Sequence, residues 1–194
     1  MAGDWLAARR TEVAADRILD AAGELFATRG VAAVGMHEIA NAAGCSRATL
    51  YRYFDNRETL RTAYVNRETN RLNQQIIEEI TGIDDPRHRL IAGVMGALRL
   101  VRQSPALAAW FATNEAPVGG AIAEQSELVQ ALTAAFLISL GSDEPGVVAR
   151  RARWLVRVMT SLLIFPGADE ADERAMIEEF VVPIIEPAGA AQRG

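Results

Sequence analysis

The sequence predicts an all-α protein: an N-terminal head of three helices, a long connecting helix and a C-terminal helical bundle. Half of the 194 residues are apolar and alanine is abundant, a composition that favours helices. Apolar residues recur at helical spacing, for example at Ile18, Ala22 and Phe26, and no segment alternates as a strand does. The segments are separated by runs such as "TGIDDPRHR" and "GSDEPG", which combine Gly, Pro and Asp as helix ends do.

The first predicted helix covers residues 11–28, and Gly30 closes it as a C-terminal glycine does. Two basic residues, Arg9 and Arg10, precede it. They belong either to a solvated, disordered tail or to an arm that reaches into a minor groove of DNA.

The second predicted helix is short, residues 36–43, and Gly44 makes a tight turn after it. Ser46 is a favourable N-cap for a third short helix that extends through Phe54. Asp55, with Glu58 three residues later, predicts a capping-box start for a fourth, long helix that reaches about residue 80.

The third predicted helix has two different faces. Leu50 and Phe54 lie four residues apart and seal a small core. The opposite face is small, hydroxylated and cationic, and it consists of Arg47, Ala48, Thr49, Tyr51, Arg52 and Tyr53. Hydroxyl and guanidinium groups donate hydrogen bonds to phosphate, and arginine can also read a guanine edge. The pattern predicts a helix-turn-helix whose second helix enters the major groove.

The segment "GELFATRGVAAVGMHEIANAAGCSRATLYRYFDNRETL" resembles the DNA-binding head of TetR-family transcriptional regulators, and the resemblance covers residues 15–60. Its most specific part is "IANAAGCSRATLYRYF", in which I-A-x-x-A-G, T-L-Y and the final F fall in register. Beyond residue 64 the chain matches the family only in length and helical pattern.

The resemblance implies roles for single residues. Thr49 and Tyr51 correspond to a phosphate-anchoring pair, and Arg47 and Ala48 lie where bases are usually read. Tyr53 occupies a position where the family often has an aromatic residue or histidine that touches DNA. In an isolated helix, Tyr51 and Tyr53 would instead be interpreted as packing residues.

Two further positions follow from the resemblance. Arg57 stands where the family usually has a lysine that meets backbone phosphate, and the charge is kept. Gly35 departs from the family's Thr or Ser, and His37 is a candidate to replace the lost contact. The predicted DNA contacts are Met36, His37, Ser46, Arg47, Ala48, Thr49, Tyr51, Arg52, Tyr53 and Arg57.

The C-terminal bundle is expected to hold a mostly apolar ligand cavity, as TetR-like proteins do. The stretch "AWFATNEAPVGG" is the predicted wall and mouth. The predicted ligand-binding residues are Leu98, Val101, Trp110, Phe111, Asn114, Phe136, Trp154 and Met159. Taken singly, each of the apolar residues is more commonly part of a plain bundle core, and the cavity is expected from the set as a whole. Arg99, Arg102 and Arg157 could select an anionic ligand, although arginines on an exposed helix face are commoner.

Residues 147–165 and 172–185 resemble the helix pair through which the family dimerises, and both leave apolar surface that a monomer covers poorly. Pro183 predicts a kink or an end in the second of them. A two-fold dimer would place two recognition helices roughly 34–36 Å apart on a palindromic operator.

Composition and motifs limit the remaining possibilities. The single cysteine, Cys45, the absence of an apolar leader in "MAGDWLAARRTEV" and apolar runs too short for a bilayer predict a soluble, cytoplasmic protein with no membrane partner. A net charge of −5 argues against nonspecific coating of nucleic acid. No nucleophile elbow, phosphate loop or metal-ligand spacing is present, so we expect no catalytic site, metal or cofactor.

The predicted domains are residues 1–57, a DNA-binding head ordered from about residue 11, and residues 58–194, a ligand-binding and dimerisation domain. The leading hypothesis is a dimeric repressor that a small, largely apolar ligand releases from its operator. A regulator of the same fold with a protein partner or no effector is the second hypothesis. A helical ligand-binding protein that lacks DNA function is the third, and the intact "TLYRYF" argues against it.

Overall fold

The computed structural model describes residues 4–112, 118–141 and 144–185, and within these ranges the chain forms helices and no strand. The all-α prediction is therefore confirmed. The helices are α1 (Asp4–Arg29), α2 (Met36–Ala42), α3 (Arg47–Tyr53), α4 (Arg57–Ile80), α5 (Pro86–Gln103), α6 (Pro105–Ala108), α7 (Val118–Gln125), α8 (Glu127–Leu140), α9 (Pro145–Ile164), α10 (Glu170–Met176) and α11 (Val182–Ile185). A π-helical turn, Ile177–Val181, joins α10 to α11.

The head consists of α1, α2 and α3 packed around a fully apolar centre. Phe26 of α1, Ile39 of α2 and Leu50 of α3 are each almost completely buried. Short loops connect the helices, so the core fixes the angle at which α3 lies across α2. The recognition helix predicted from the sequence is thus held by packing on its apolar face.

The turn between α2 and α3 requires glycine. Gly44 has a φ of 66°, in the left-handed region that other residues avoid. Its N–H donates to the Asn41 carbonyl, and the Cys45 N–H donates to the Ala40 carbonyl at 3.0 Å. These two bonds form a Schellman cap that ends α2 and redirects the chain into α3.

Two predicted boundaries differ from the structure. Helix α1 begins at Asp4, so the backbone of Arg9 and Arg10 is helical and does not form the disordered tail that the sequence allowed. Helix α4 is capped by Asn56 and not by Asp55, because Asn56 has the extended backbone of an N-cap and its Oδ1 accepts the Thr59 N–H at 2.9 Å.

The C-terminal bundle packs α5, α8, α9 and the α10–α11 segment around a second apolar cluster. Its most deeply buried members include Leu90, Val94, Leu98, Leu155 and Ile177. Helix α4 lies against α5 and α8 and links this bundle to the head. In the parts of the chain that the structure describes, no helix combines the length and apolar character needed to cross a bilayer.

An ion pair between the exposed Arg102 and the buried Glu173 ties the end of α5 to α10. The Arg102 guanidinium donates to both carboxylate oxygens of Glu173, at 2.7 and 2.6 Å, and also to the Leu162 carbonyl at 2.9 Å. The Gly167 N–H donates to the same carboxylate. These hydrogen bonds hold the pKa of Glu173 below its ordinary value even though the residue is only 2% exposed.

The irregularity expected near Pro183 takes the form of the π-helical turn that precedes it. Proline has no N–H for the carbonyl four residues earlier, and its ring crowds that carbonyl. The wider turn Ile177–Val181 relieves this conflict, and the helix continues through Pro183 to Ile185.

Candidate functional site

The N-terminus of α2 is capped without a side chain on the capping residue. Gly35 is extended there, with φ −106°, and its N–H donates to Glu38 Oε2 at 2.8 Å. Glu38 also pairs with Arg29 at 2.5 Å. This hydrogen bond and this ion pair lower the pKa of Glu38, so the carboxylate stays ionised and the Arg29 guanidinium balances its charge.

Helix α3 begins with a side-chain cap. Ser46 Oγ accepts the Thr49 N–H at 3.0 Å, and the two hydroxyl groups lie 2.9 Å apart. The predicted N-cap is therefore present. It positions the first turn of α3, with Arg47 and Ala48, at the solvent-facing side of the head.

The outward face of α3 carries donors and no carboxylate. Arg47, Tyr51 and Arg52 are exposed, and the Tyr51 ring is 39% exposed although it is a large aromatic residue. Tyr53 is half-buried, and the Arg52 guanidinium lies 5.4 Å from its ring centre. Within this face the phenol and guanidinium groups point to water, where they can donate to phosphate oxygens or base edges.

A cavity of about 530 Å³ lies in the bundle between α4, α5, α8 and α9. Its volume falls within the range of roughly 300–1,000 Å³ that small-molecule sites occupy. Helix α4 contributes one continuous stripe of lining residues: Val65, Thr69, Leu72, Asn73, Ile76, Ile77 and Ile80. Phe136 of α8 approaches so close to Gly93 of α5 that a Cβ there would lie 2.7 Å from its ring. The aromatic wall therefore depends on that glycine.

An aromatic cluster connects the cavity to the head. Trp110, which lines the cavity, meets Phe26 edge-on with ring centres 5.4 Å apart and stacks on Tyr64 at 6.0 Å. Phe26 and Tyr64 are themselves 5.3 Å apart, and burial raises the pKa of Tyr64 to about 12. Because Phe26 belongs to the core of the head, Trp110 is a direct contact between the lining of the cavity and that core.

Comparison with known proteins agrees with this arrangement. The family profile "Bacterial regulatory proteins, tetR family" matches residues 18–64. An HTH-type transcriptional regulator of Mycobacterium tuberculosis strain H37Rv, described as uncharacterised, is 64% identical over 194 residues, covering 100% of this chain and 96% of its own length. The chain belongs to the TetR family.

More distant relatives share the fold. The HTH-type transcriptional activator FasR of Mycolicibacterium smegmatis is 28% identical over 139 residues, which is 72% of this chain and 64% of FasR. The transcriptional repressor QsdR of R. erythropolis superposes with a TM-score of 0.64 at 21% identity, covering 90% of this chain and 95% of QsdR. The repressor AlkX of Dietzia sp. strain DQ12-45-1b superposes with a TM-score of 0.60 at 24% identity, covering 87% of this chain and 93% of AlkX.

Most of the predicted DNA contacts of this TetR-family regulator are exposed to solvent. His37, Ser46, Arg47, Ala48, Tyr51, Arg52 and Arg57 are exposed, and Thr49 and Tyr53 are half-buried. Arg57 also donates to the Ala32 carbonyl at 3.3 Å, and His37 Nε2 lies 3.3 Å from the Asn41 amide. Met36 is the exception, because its side chain is 9% exposed and packs into the core of the head. A DNA contact through that side chain would require the head to open.

The predicted ligand residues divide into three groups. Val101, Trp110, Phe111, Phe136 and Met159 line the cavity. Leu98 and Trp154 do not line it, since both pack within the apolar cluster of the bundle. Asn114 lies outside the described residues. Sequence reasoning missed the α4 stripe, although Leu72, Ile76 and Ile80 recur at helical spacing and could have indicated it.

The three arginines considered for anion selection are each paired with a glutamate. Arg99 donates to Glu79 at 2.6 Å, Arg102 to Glu173, and Arg157 Nε to Glu124 at 2.8 Å. Their charges are therefore balanced, and none of the three lines the cavity. A different arginine, Arg89, does line it, and nothing in its sequence context distinguished it.

TetR-family membership also bears on catalysis. The fold and the relatives are those of transcriptional regulators, and the protein is a DNA-binding regulator and not an enzyme. Among the described residues, no group of three or more His, Cys, Asp or Glu side chains is arranged to hold a metal ion.

Proposed function

We propose that the protein is a dimeric transcriptional repressor of the cytoplasm that a small, largely apolar molecule releases from a palindromic operator. The observation that carries the proposal is the position of Trp110. One side chain lines the ligand cavity and packs against Phe26 in the core of the DNA-binding head. Ligand occupancy and head position therefore share a physical contact.

The outward face of α3 supports operator binding. Its exposed phenol and guanidinium groups lie on a short helix that a capped turn and an apolar core hold rigidly. Such a helix fits the major groove, where phosphate contacts fix the register and arginine reads bases. Since the whole chain is acidic, this local face must supply the attraction to DNA.

Exposed apolar side chains at the end of α9 and along the α10–α11 segment support dimerisation. Phe165 follows α9 and is 70% exposed, and Phe180 in the π-helical turn is 58% exposed. Met176 and Ile184 extend the same apolar stripe at spacings of four residues. A two-fold pair of these helices would bury the stripe and place the recognition helices roughly 34–36 Å apart.

The cavity supports control by a ligand. A ligand that shifts the head from 99:1 binding-competent to the reverse must bind the released state about 5.5 kcal/mol more tightly. An apolar molecule that fills much of 530 Å³ buries enough surface for such a difference. We propose repression because a repressor needs only to occupy the promoter. The relative FasR, however, is named a transcriptional activator. The sign of regulation is therefore part of the test.

The test is a salt-dependent binding titration of the purified protein with DNA from upstream of its own gene. We expect sequence-preferring binding whose logarithm falls with log salt by about 0.9 per phosphate neutralised. A promoter fusion in the same strain background should rise when the gene for this protein is deleted. Binding no tighter than to shuffled DNA would contradict operator recognition at that site, and a promoter that falls on deletion would show activation.

The alternative is a regulator of the same fold that has no small-molecule effector. Adding apolar compounds to the same titration distinguishes it from the proposed repressor. If the protein binds its operator and no apolar compound changes either its melting temperature or its DNA affinity, the cavity is not an effector site. If apolar compounds stabilise the protein and no DNA is bound, the helical ligand-binding protein is the better description.

A further inference from the structure

Arg89 is the only charged side chain among the described residues that line the cavity. It extends from the first part of α5 and is half-buried. The remaining lining residues are apolar or carry a hydroxyl or an amide. A single guanidinium in an otherwise uncharged cavity favours an anionic ligand over a cationic one, because opposite charges attract.

The partners of Arg89 leave its charge unbalanced. Its Nε donates to the Ile83 carbonyl at 2.7 Å, and its terminal nitrogens donate to the carbonyls of Ser139 at 3.2 Å and Asp84 at 3.4 Å. These are neutral acceptors. Within the described ranges Arg89 forms no ion pair with a carboxylate, whereas Arg99 and Arg102 on the same helix each do.

The cavity has two chemically different ends. The α4 residues that line it run from Val65 to Ile80, which is about 22 Å along the helix axis. Arg89 lies at the far end, since its backbone partner Ile83 follows the end of α4, and the exposed residues Thr81 and Gly82 line the cavity there. Trp110 lies at the near end, stacked on Tyr64.

We propose that the effector is a single-chain amphiphile with a carboxylate head, which Arg89 binds while the chain runs along α4 toward Trp110. Three of the five guanidinium donors are occupied by carbonyls, and the others are available to a planar carboxylate. The long, apolar body of the cavity fits an unbranched chain better than a compact ring system. This inference rests on the proposed function, since it names the ligand class of the same cavity.

The experiment compares dodecanoate with dodecan-1-ol, which share a chain and differ in the head. Binding to the full-length protein is measured by calorimetry at pH 8, where the acid is ionised, for the wild type and for Arg89→Gln. We expect the wild type to prefer the acid about tenfold or more, and Arg89→Gln to bind the two compounds alike. Arg89→Lys, which keeps the charge, should retain part of the preference and guards against a folding defect.

The matched control is Arg87→Gln. Arg87 is exposed, lies two residues from Arg89 on α5 and does not line the cavity. The Arg87→Gln variant should leave the preference for the acid unchanged, because it removes a positive charge that does not contact the ligand. Equal loss in Arg87→Gln and Arg89→Gln would contradict a direct contact.

Other outcomes separate this inference from the proposed function. If acid and alcohol bind the wild type alike and both release operator DNA, ligand control stands and the role of Arg89 is wrong. If neither compound binds, the amphiphile is wrong, and the DNA titration tests the regulator independently. A series from octanoate to octadecanoate tests the length of the chain. In a Trp5→Phe, Trp154→Phe variant, which leaves Trp110 as the one tryptophan, the emission maximum should shift only with the longer members.

Discussion

Tyr51 and Arg47 lie on the same exposed face of α3, yet they are expected to serve DNA binding differently. A phenol that anchors phosphate carries no base information, so Tyr51→Ala should weaken binding to operator and random DNA alike. Arg47→Ala should cost about 1–3 kcal/mol on the operator and relax the preference at one base pair. Competition titrations with operator and shuffled duplexes measure both, and equal losses for Arg47→Ala would assign it to the backbone.

Gly44 gives a stability prediction at a single residue. At its φ of 66°, a residue with a Cβ is less stable than glycine by about 1–2 kcal/mol. Gly44→Ala should therefore lower the free energy of unfolding by that amount. Gly146→Ala is the matched control, because Gly146 lies in the first turn of α9 without a positive φ and a Cβ there would make an ordinary 3.6 Å contact. Urea unfolding of the two variants tests this, and equal effects would contradict the conformational argument.

Sequence reasoning worked best for residues whose role is local. Ser46 was predicted as an N-cap because the bond it makes reaches only three residues along the chain. The choice between Asp55 and Asn56 depended on backbone angles that the sequence does not contain. The burial of Met36 and the position of Arg89 depend on tertiary neighbours, respectively the core of the head and the end of the cavity, and the sequence indicated neither.

At the scale of elements, the Arg102–Glu173 pair predicts a pH dependence. The pKa of Glu173 is lowered in the folded state, so its contribution is present above its ordinary value of 4.5 and is lost as the pH falls through the lowered value. Glu173→Gln should cost about 1–3 kcal/mol at neutral pH, because hydrogen bonds to charged partners are lost. The difference from the wild type should shrink below pH 4.5.

Glu170→Gln is the control for that experiment. Glu170 is exposed on the same helix, so its variant should differ from the wild type by no more than about 0.5 kcal/mol at any pH. Chemical denaturation at a series of pH values measures all three proteins. A gap between the wild type and Glu173→Gln that stays constant into acid would contradict the role of ionisation.

The aromatic cluster predicts coupling between α1 and the segment after α6. In a double-mutant cycle, Phe26→Leu and Trp110→Leu should interact by about 0.5–1.5 kcal/mol, the range for edge-to-face aromatic pairs. Phe26→Leu and Trp154→Leu should instead be additive, because Trp154 packs in the bundle cluster. Unfolding free energies of the variants decide this, and additivity at Trp110 would remove the proposed link between cavity and head.

Helices were predictable from the sequence where the apolar periodicity agreed with Gly or Pro residues that mark helix ends. Gly30 and the proline-led starts of α5, α6 and α9 mark helix ends by chemistry alone. The π-helical turn before Pro183 was not predictable in form, since proline permits a kink, a break or a wider turn and packing selects among them. The N-terminal extension of α1 was also not predicted, since no Gly, Pro or other helix-start signal marks where it begins.

For the whole molecule, the exposed stripe on the last helices predicts the oligomeric state. Phe180→Glu should weaken a dimer by about 2 kcal/mol or more, roughly thirtyfold, because it places a charge in an apolar interface. Ile138→Glu is the matched control, as Ile138 is equally exposed on α8, away from the stripe. Sedimentation velocity should show dissociation for the first variant alone. Dissociation of both, or of neither, would place the interface elsewhere.

The architecture as a whole followed from the sequence, but the cavity did not. Five of the eight residues predicted for it do line it, because large apolar side chains in the bundle have few other places to lie. Its extent along α4 and its charged end depend on how four helices leave space between them. That space is set by close approaches such as Gly93 against Phe136, which a linear sequence does not reveal.

The core of the head draws Leu107 and Trp110 from beyond α5, although the head itself is contiguous in the first sixty residues. The DNA-reading module is consequently not a free-standing cassette. Recombination that joined this head to the body of another regulator would leave Phe26 facing a foreign surface unless the short α6 segment moved with it. Under the proposed function, specificity for DNA and response to a ligand would therefore be constrained to evolve together.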